Sequence, residues 1–529
     1  MKPILTLLLG ILCISCQDTI NSPYTNNVIS SAHPLSSKAG KQMYALGGNA
    51  FDAAVAAGFT LAVVEPSMSG LGGRLQAIYH LKEGTIGGVD ASTQVPKNYI
   101  PNNEKHAHGY TTIGIPGVVA GLVKLQEEHG LLSLEQVLQP AIDYAEKGFN
   151  LLPGEALRQQ SELEILSKYE GTRYHFLTSE NKTYSEGSLF IQKDLADLLR
   201  KIAKEGKAGF YEGEIAENMV YDIQQNGGLL TLEDLKDYKA LDSEVLTGEF
   251  QSAQVYSLFL PSYGAITIQI LQILDHISPF NSEEEWATTL GKVTDFAYSY
   301  RQYQKDNDSL TNIISYDKAK EWAYQLQEEN LQKVAYNEEL PASWTAAMGH
   351  TTHLTTADKF GNIVSLTQTI GPNMGSKVAT KGLGFLYAVT LGGYLGEYKP
   401  GDRSNSHISP TLFLKDGKVI LALGAAGGSR IVTAVTQVAH RILNQKKELN
   451  EALMLPRIYP VNDTIWIEDH DGIQHLNADL NPVNEPIKFI NQKASFGRVH
   501  AISFDSINKK WIGAADPDWE GTVEIVENK

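Results

Sequence analysis

Cysteine is almost absent. The 529 residues contain two, Cys13 and Cys16, both near the start. The rest of the chain therefore has no disulfide and no cysteine nucleophile. Positive charge is also scarce: 44 Lys and Arg against 61 Asp and Glu leave a formal charge of -17. That excludes the basic footprint of a nucleic-acid-binding protein. Long apolar runs are missing as well. The run near the start, Ile4 to Ile14, is shorter than the roughly 20 residues that span a bilayer. There is no HExxH and no GxxxxGK, so neither a helical zinc site nor a phosphate loop is indicated. No internal repeat, low-complexity block or long linker breaks the chain.

What remains is the composition of a folded protein, 42% hydrophobic and 20% charged, enough for a large core. Lys2, the apolar run and the small residue Ser15 read as an export signal. Ser15-Cys16 resembles the lipobox of bacterial lipoproteins, in which Cys16 would be acylated, although Cys13 stands where that motif has Leu. An ordinary cleaved signal is the alternative. The expectation is an exported chain, periplasmic or on the cell surface, touching the membrane by a lipid anchor only. Residues 17–30 are polar and are expected to form a tether.

Local pattern places helices at Gly48–Val64, Val118–His129, Leu134–Lys147, Leu195–Lys204, Ile266–His276, Trp286–Gln304 and Ile431–Asn444. Strands are expected at Gln76–His80, Gln254–Leu260, Thr351–Ala357, Ile363–Thr369, Thr411–Leu414, Val419–Leu423, Ile465–Glu468 and Val499–Phe504. Paired sheets with helices outside would suit an αββα domain, but periodicity alone does not decide it.

The sharpest chemical candidate is Gly349-His350-Thr351-Thr352-His353. A threonine hydroxyl needs a base, and an N-terminal threonine carries one in its own α-amino group. With a pKa of roughly 8, that amine suits proton transfer near neutral pH. Thr351 is internal, so this use requires cleavage of the His350–Thr351 bond. The bland alternative is a strand with threonines packed for shape. Gly427-Gly428-Ser429 follows a strand and precedes a helix. Glycines there can bring N–H groups to a reacting oxygen, or they form a turn capped by Ser429. The 14 histidines suggest no metal site. His106, His108 and the run Glu468-Asp469-His470-Asp471 read as surface residues.

Collinear segments then resemble the γ-glutamyltransferase family. They are Ser31–Pro34, GNAFDAAVAAGFTLAVVEPSMSGLGG (48–73), GIPGVVAGL (114–122), QPAIDYAEKGF (139–149), GGLLTLEDLKDY (227–238) and PSYGAITIQ (261–269). TTHLTTADKFGNIVSLTQT (351–369), SHISPTLFLKDGK (406–418), AAGGSR (425–430) and AADP (514–517) follow. The resemblance implies an α+β, four-layer αββα N-terminal-nucleophile hydrolase fold. It implies a precursor cut into a large subunit, 31–350, and a small one, 351–529, while the export signal over 1–16 is read from the residues themselves. Thr351 would be the nucleophile, and the Thr369 hydroxyl would support its amine. Gly427 and Gly428 would form the oxyanion hole, and Ser406 would lie near the substrate. No metal or organic cofactor is implied.

The substrate positions depart from the family pattern. Ser92 stands where an arginine holds the substrate carboxylate. His407 replaces a second serine, Gly371 an asparagine, and Thr390 and Gly393 the Gln and Asp that bind an amino group. Most of a lid segment is absent. Arg74 replaces a glycine and is expected either to supply a substitute carboxylate contact or to lie on the surface. The resemblance thus implies transfer or hydrolysis of γ-glutamyl or related acyl groups from small amides to water or an amine. A non-glutamyl amidohydrolase or acylase of the same fold and a non-catalytic binding protein are the alternatives.

Overall fold

The computed structural model describes residues 23–101, 106–277, 279–328, 350–392, 397–461, 464–471, 487–493 and 495–528. Two antiparallel sheets stack face to face with helices outside both, which is the αββα arrangement. The first sheet has seven strands, in the spatial order Thr522–Glu527, Asn26–Ser31, Thr352–Ala357, Ile363–Thr369, Arg74–His80, Ile86–Ala91 and Leu241–Asp242. The second has six, in the order Lys510–Ala515, Arg498–Asp505, Lys418–Ala426, Thr411–Lys415, Ala253–Leu258 and Val245–Phe250.

Inner strands such as Asn26–Ser31, Thr352–Ala357 and Ile363–Thr369 are buried on both faces and show no polar-apolar alternation, whereas the edge strand Val245–Phe250 alternates buried and exposed residues. Val28, Ile78, Ala357, Leu412, Ala422 and Ile502 form the core between the sheets. The helix Ala50–Val64 covers the outer face of the first sheet and is buried along its whole length. Asn49 caps it, accepting from the N–H groups of Phe51 and Asp52, while Asp52 accepts in return from the Asn49 N–H. That reciprocal cap satisfies amides that would otherwise be orphaned at a buried helix start. Gly264–Ile277, Glu283–Ser299 and Ile431–Leu443 cover the second sheet.

The register of one hairpin matters most for function. Thr352–Ala357 and Ile363–Thr369 are antiparallel, with Gln368 opposite Thr352. The Asp358 carboxylate ties their turn by accepting from the N–H groups of Phe360, Gly361 and Asn362. Gly361, at φ 101°, takes a backbone form open to glycine at little cost. Closing the hairpin there brings its open ends, Thr351 and Thr369, side by side.

Three expectations need correction. The tether does not extend to residue 30, because Asn26–Ser31 is a buried strand inside the first sheet. Its polar residues are matched: Asn26 exchanges hydrogen bonds with the Trp511 backbone, and Ser30 donates to the Ala514 carbonyl. Polarity without knowledge of those partners reads as a loop. The helix expected to reach Gln304 ends at Ser299, and a 3-10 turn follows at Arg301–Tyr303. Glu468 and His470 are not surface residues but are 1% and 2% exposed. Arg457 bonds Glu468 and Asp516, and His470 bonds Glu468 and Asp518. Burial pulls the His470 ring down, but its bonds to Asp518 and Glu468 outweigh this and raise it to about 9. Glu468, His470 and Asp518 could offer three ligand atoms to a metal.

Candidate active site

Thr351 sits at the threshold of its strand, 3% exposed. Its hydroxyl contacts the His350 carbonyl oxygen and lies 3.2 Å from the Thr369 hydroxyl. Thr369 donates to the same His350 carbonyl at 2.9 Å and accepts from the Gly371 N–H at 3.0 Å. A hydroxyl, the peptide bond preceding it and a second hydroxyl polarising that bond are thus gathered at one point. Arg498 donates to the Thr351 carbonyl at 3.2 Å. Burial, with Arg158 nearby, lowers Arg498 to about 10, so it stays cationic at neutral pH. One strand position on, the Thr352 hydroxyl donates to buried Glu65 at 2.7 Å.

The strand Lys418–Ala426 crosses over this hairpin. Ser365 donates to the Leu423 carbonyl at 3.0 Å. A Cβ on Gly424 would lie 2.3 Å from the His353 ring, so only glycine lets the sheets meet there. Ala426 pairs with Arg498, the residue that holds Thr351. The chain then turns through Gly427 at φ 151° and Gly428 at φ 60°. Side chains are strained in both conformations. The two glycines therefore shape the turn that directly follows Ala426.

His353 is not a second base. Its ring is fully buried, between the hydroxyls of Thr367 at 2.7 Å and Thr355 at 3.0 Å. Burial, with His500 alongside, holds it well below the usual histidine range. His500 is likewise lowered to about 3 by burial and by Arg498. Both are neutral packing residues.

The expected substrate residues separate into two groups. Ser406 and His407 stay together beside Pro261, whose carbonyl accepts from the Ser406 N–H at 2.8 Å. Ser92 and Arg74 are both buried and hydrogen-bonded within the protein. Ser92 has no accessible surface, and its hydroxyl accepts from Gln76 at 3.1 Å. Arg74 is 1% exposed and donates to the Ser404 hydroxyl at 2.9 Å and to the carbonyls of Asn405 and Val389. It lies opposite Thr369 in the sheet, and there it braces the segment leading to Ser406. The surface reading of Arg74 is corrected by that burial. Thr390 is 1% exposed and packs on Gly114. Gly393 and Cys16 lie outside the described residues.

Three residues of this region escaped the sequence reading: Arg498, Tyr298 and Arg301. Tyr298 donates to the Ser429 carbonyl, and Arg301 lies 2.9 Å from the His407 ring nitrogen. The signal that could have exposed the last two is the helix break after Ser299, hidden by reading one helix through to Gln304.

Comparison with known proteins agrees with this geometry. The gamma-glutamyltranspeptidase family model matches residues 36–526. A glutathione hydrolase proenzyme of Bacillus subtilis (strain 168) is 30% identical over 547 residues, covering 94% of this chain and 91% of that protein. The capsule biosynthesis protein CapD proenzyme of Bacillus anthracis is 29% identical over 499 residues, covering 93% and 90%. The solved cephalosporin acylase from Bacillus halodurans superposes with a TM-score of 0.84 at 23% identity, over 95% of this chain and 96% of that one. That last likeness supports the fold.

Proposed function

This chain belongs to the gamma-glutamyltranspeptidase family, and from that premise we propose that it cuts its own His350–Thr351 bond and then uses Thr351 to carry acyl groups. The observation that supports this reading is the convergence of the Thr351 hydroxyl, the Thr369 hydroxyl and the His350 carbonyl. In the first step the Thr351 oxygen attacks the His350 carbonyl carbon. The C–N bond breaks, the nitrogen takes the hydroxyl proton, and an ester joins His350 to Thr351. Water hydrolyses that ester to a His350 carboxylate and a free Thr351 hydroxyl beside a new α-amino group.

That amine is the base for the second stage. It accepts the Thr351 proton as the oxygen attacks a donor amide, then returns it to the leaving amine. Gly427 and Gly428 offer N–H donors to the oxyanion. The acyl ester passes to water or to an amine. No step calls for a metal or an organic cofactor. The partners are a small amide donor and a water or amine acceptor.

The donor is proposed to differ from a free γ-glutamyl head. Burying an ammonium and a carboxylate without partners is costly. Ser92, Gly371 and Thr390 supply no charge, and Arg74 is committed to the Ser404 segment. Processed enzyme should therefore act on a γ-glutamyl anilide with kcat/KM below the ordinary range of roughly 10⁴ M⁻¹s⁻¹. An anilide of a different acyl group should outrun it. A clear win for the γ-glutamyl donor at that level or above would restore plain γ-glutamyl transfer as the activity.

Export with acylation at Cys16 remains our proposal for location, motivated by Ser15-Cys16 behind a short apolar run. Metabolic labelling with a fatty acid should mark the full chain and miss Cys16→Ala. Equal labelling of both would place the anchor elsewhere.

A further inference from the structure

The dipeptide Gly497-Arg498 stands between the glycine turn and Thr351. On one side, a Cβ on Gly427 would lie 2.7 Å from the Gly497 Cα, so the two backbones pass close together. On the other, the Arg498 guanidinium donates to the Thr351 carbonyl at 3.2 Å. The backbone that carries Arg498 is held on both flanks by buried charged groups. The Gly497 carbonyl accepts from Arg457, and the Val499 N–H donates to Asp516 at 2.8 Å. Arg457 is in turn ion-paired with Glu468 and Asp516. The Arg498 guanidinium carbon also stands 5.2 Å from the Trp519 ring centroid. Buried charges persist only when well partnered, and a satisfied network of this kind leaves the strand start little freedom.

We propose that Arg498 is the positioning residue for Thr351 once the chain has been cut. This inference rests on the reading of Thr351 as nucleophile and of the glycine turn as its oxyanion hole. In the uncut chain Thr351 is held from both sides, by the peptide bond to His350 and by its own strand. Thr369 meanwhile holds the His350 carbonyl. Cleavage removes the first hold. Thr351 then becomes a chain end, and the pairing of its strand with Ile363–Thr369 begins only at Thr352. Chain ends are poorly ordered unless something ties them down. The buried guanidinium on the Thr351 carbonyl is that tie. It fixes the hydroxyl and the new amine relative to the glycine turn, because the same strand start abuts Gly427. Attack needs reacting atoms held in line at close range, and misplacement by roughly 1 Å costs on the order of 100-fold. Arg498 therefore acts on the rate of transfer, and much less on cutting or on donor affinity. Lysine would keep the charge without the rigid fork.

The test uses Arg498→Met, which keeps much of the side chain's bulk and removes its donors. Cutting is followed by gel. The kcat and KM of the cut protein are measured with the best donor among the γ-glutamyl, glutaryl and acetyl anilides. The variant should still cut at the His350–Thr351 bond. Its kcat should fall by roughly 10- to 100-fold with KM little changed, and Arg498→Lys should recover part of that loss. An unchanged kcat in Arg498→Met overturns the proposal. So does a variant that no longer cuts, or a loss shared between kcat and KM, as a purely structural arginine would give. If cut wild type turns over no donor, the acyl-transfer reading fails by itself. Crystal structures of cut wild type and cut Arg498→Met then decide this one: a displaced Thr351 in the variant upholds it, and an unmoved Thr351 overturns it. A wild type that never cuts overturns both readings. Should Arg498→Met fail to fold, Trp519→Leu serves instead, since it loosens the guanidinium while leaving the buried charge in place. A lower kcat at unchanged KM upholds the proposal, and any other result overturns it.

Discussion

Replacing Thr351 with alanine is expected to leave one uncut chain and to abolish acyl transfer. The hydroxyl in contact with the His350 carbonyl is the attacking group of the first step, and without it the peptide bond has no internal nucleophile. The α-amino base is then never released, so nucleophile and base are lost together. Losing the nucleophile of a catalytic unit typically costs on the order of 10⁶ in kcat. Gel electrophoresis and a donor assay read both effects. The fold should survive, because Thr351 stands ahead of its strand and the pairing from Thr352 onward is untouched. A Thr351→Ala protein that still divides in two, or turns over donors at more than a trace rate, would remove Thr351 from both roles.

The next largest effect is expected at Gly427. A Cβ there would come 2.7 Å from the Gly497 Cα, at a φ of 151°. Backbone cannot give way as a flexible side chain can, so Gly427→Ala should displace the turn. Loss of an oxyanion donor costs roughly 10²–10³ in kcat. Gly428 provides the contrast. Its φ of 60° also disfavours a side chain, but a Cβ meets nothing within 4 Å. Gly428→Ala should therefore keep the turn in place and cost about 1–2 kcal/mol of backbone strain, with a smaller loss of rate. If Gly427→Ala turned over donors at the wild-type rate, the turn would not be the oxyanion hole.

Much of the fold was legible where local pattern and packing agree. Val118–His129 and Ile363–Thr369 match their expected bounds. The helix ending at Val64 differs by two residues at its start, where Asn49 caps it. The strands that escaped were those whose residues look unlike strands until their partners are known. Ile86–Ala91 carries two glycines, and Gly88 admits Leu258 of the other sheet. Asn26–Ser31 is polar, and its polar atoms are matched by Trp511 and Ala514, nearly the full chain away. Such long-range matching leaves no local trace.

The site divides in the same way. Thr351, Thr369, Gly427 and Gly428 were picked out through the family resemblance, because residue pattern alone also fits a packed strand and a plain turn; the structure puts the Thr351 and Thr369 hydroxyls 3.2 Å apart and both glycines at positive φ. Arg74 was misplaced because an arginine in a glycine-rich turn says nothing about its depth. Only the carbonyls of Asn405 and Val389, more than 300 positions away, show that it points inward. Arg301 was invisible for a related reason. Its setting depends on His407 and on a helix ending one turn earlier than the apolar pattern implied.

The most direct measurement is the N-terminal sequence of the small fragment from protein expressed without residues 1–16 and purified in active form. The account predicts that the fragment begins at Thr351, with a free amine. An active preparation that remains one chain, or a small fragment beginning at any other residue, would contradict it.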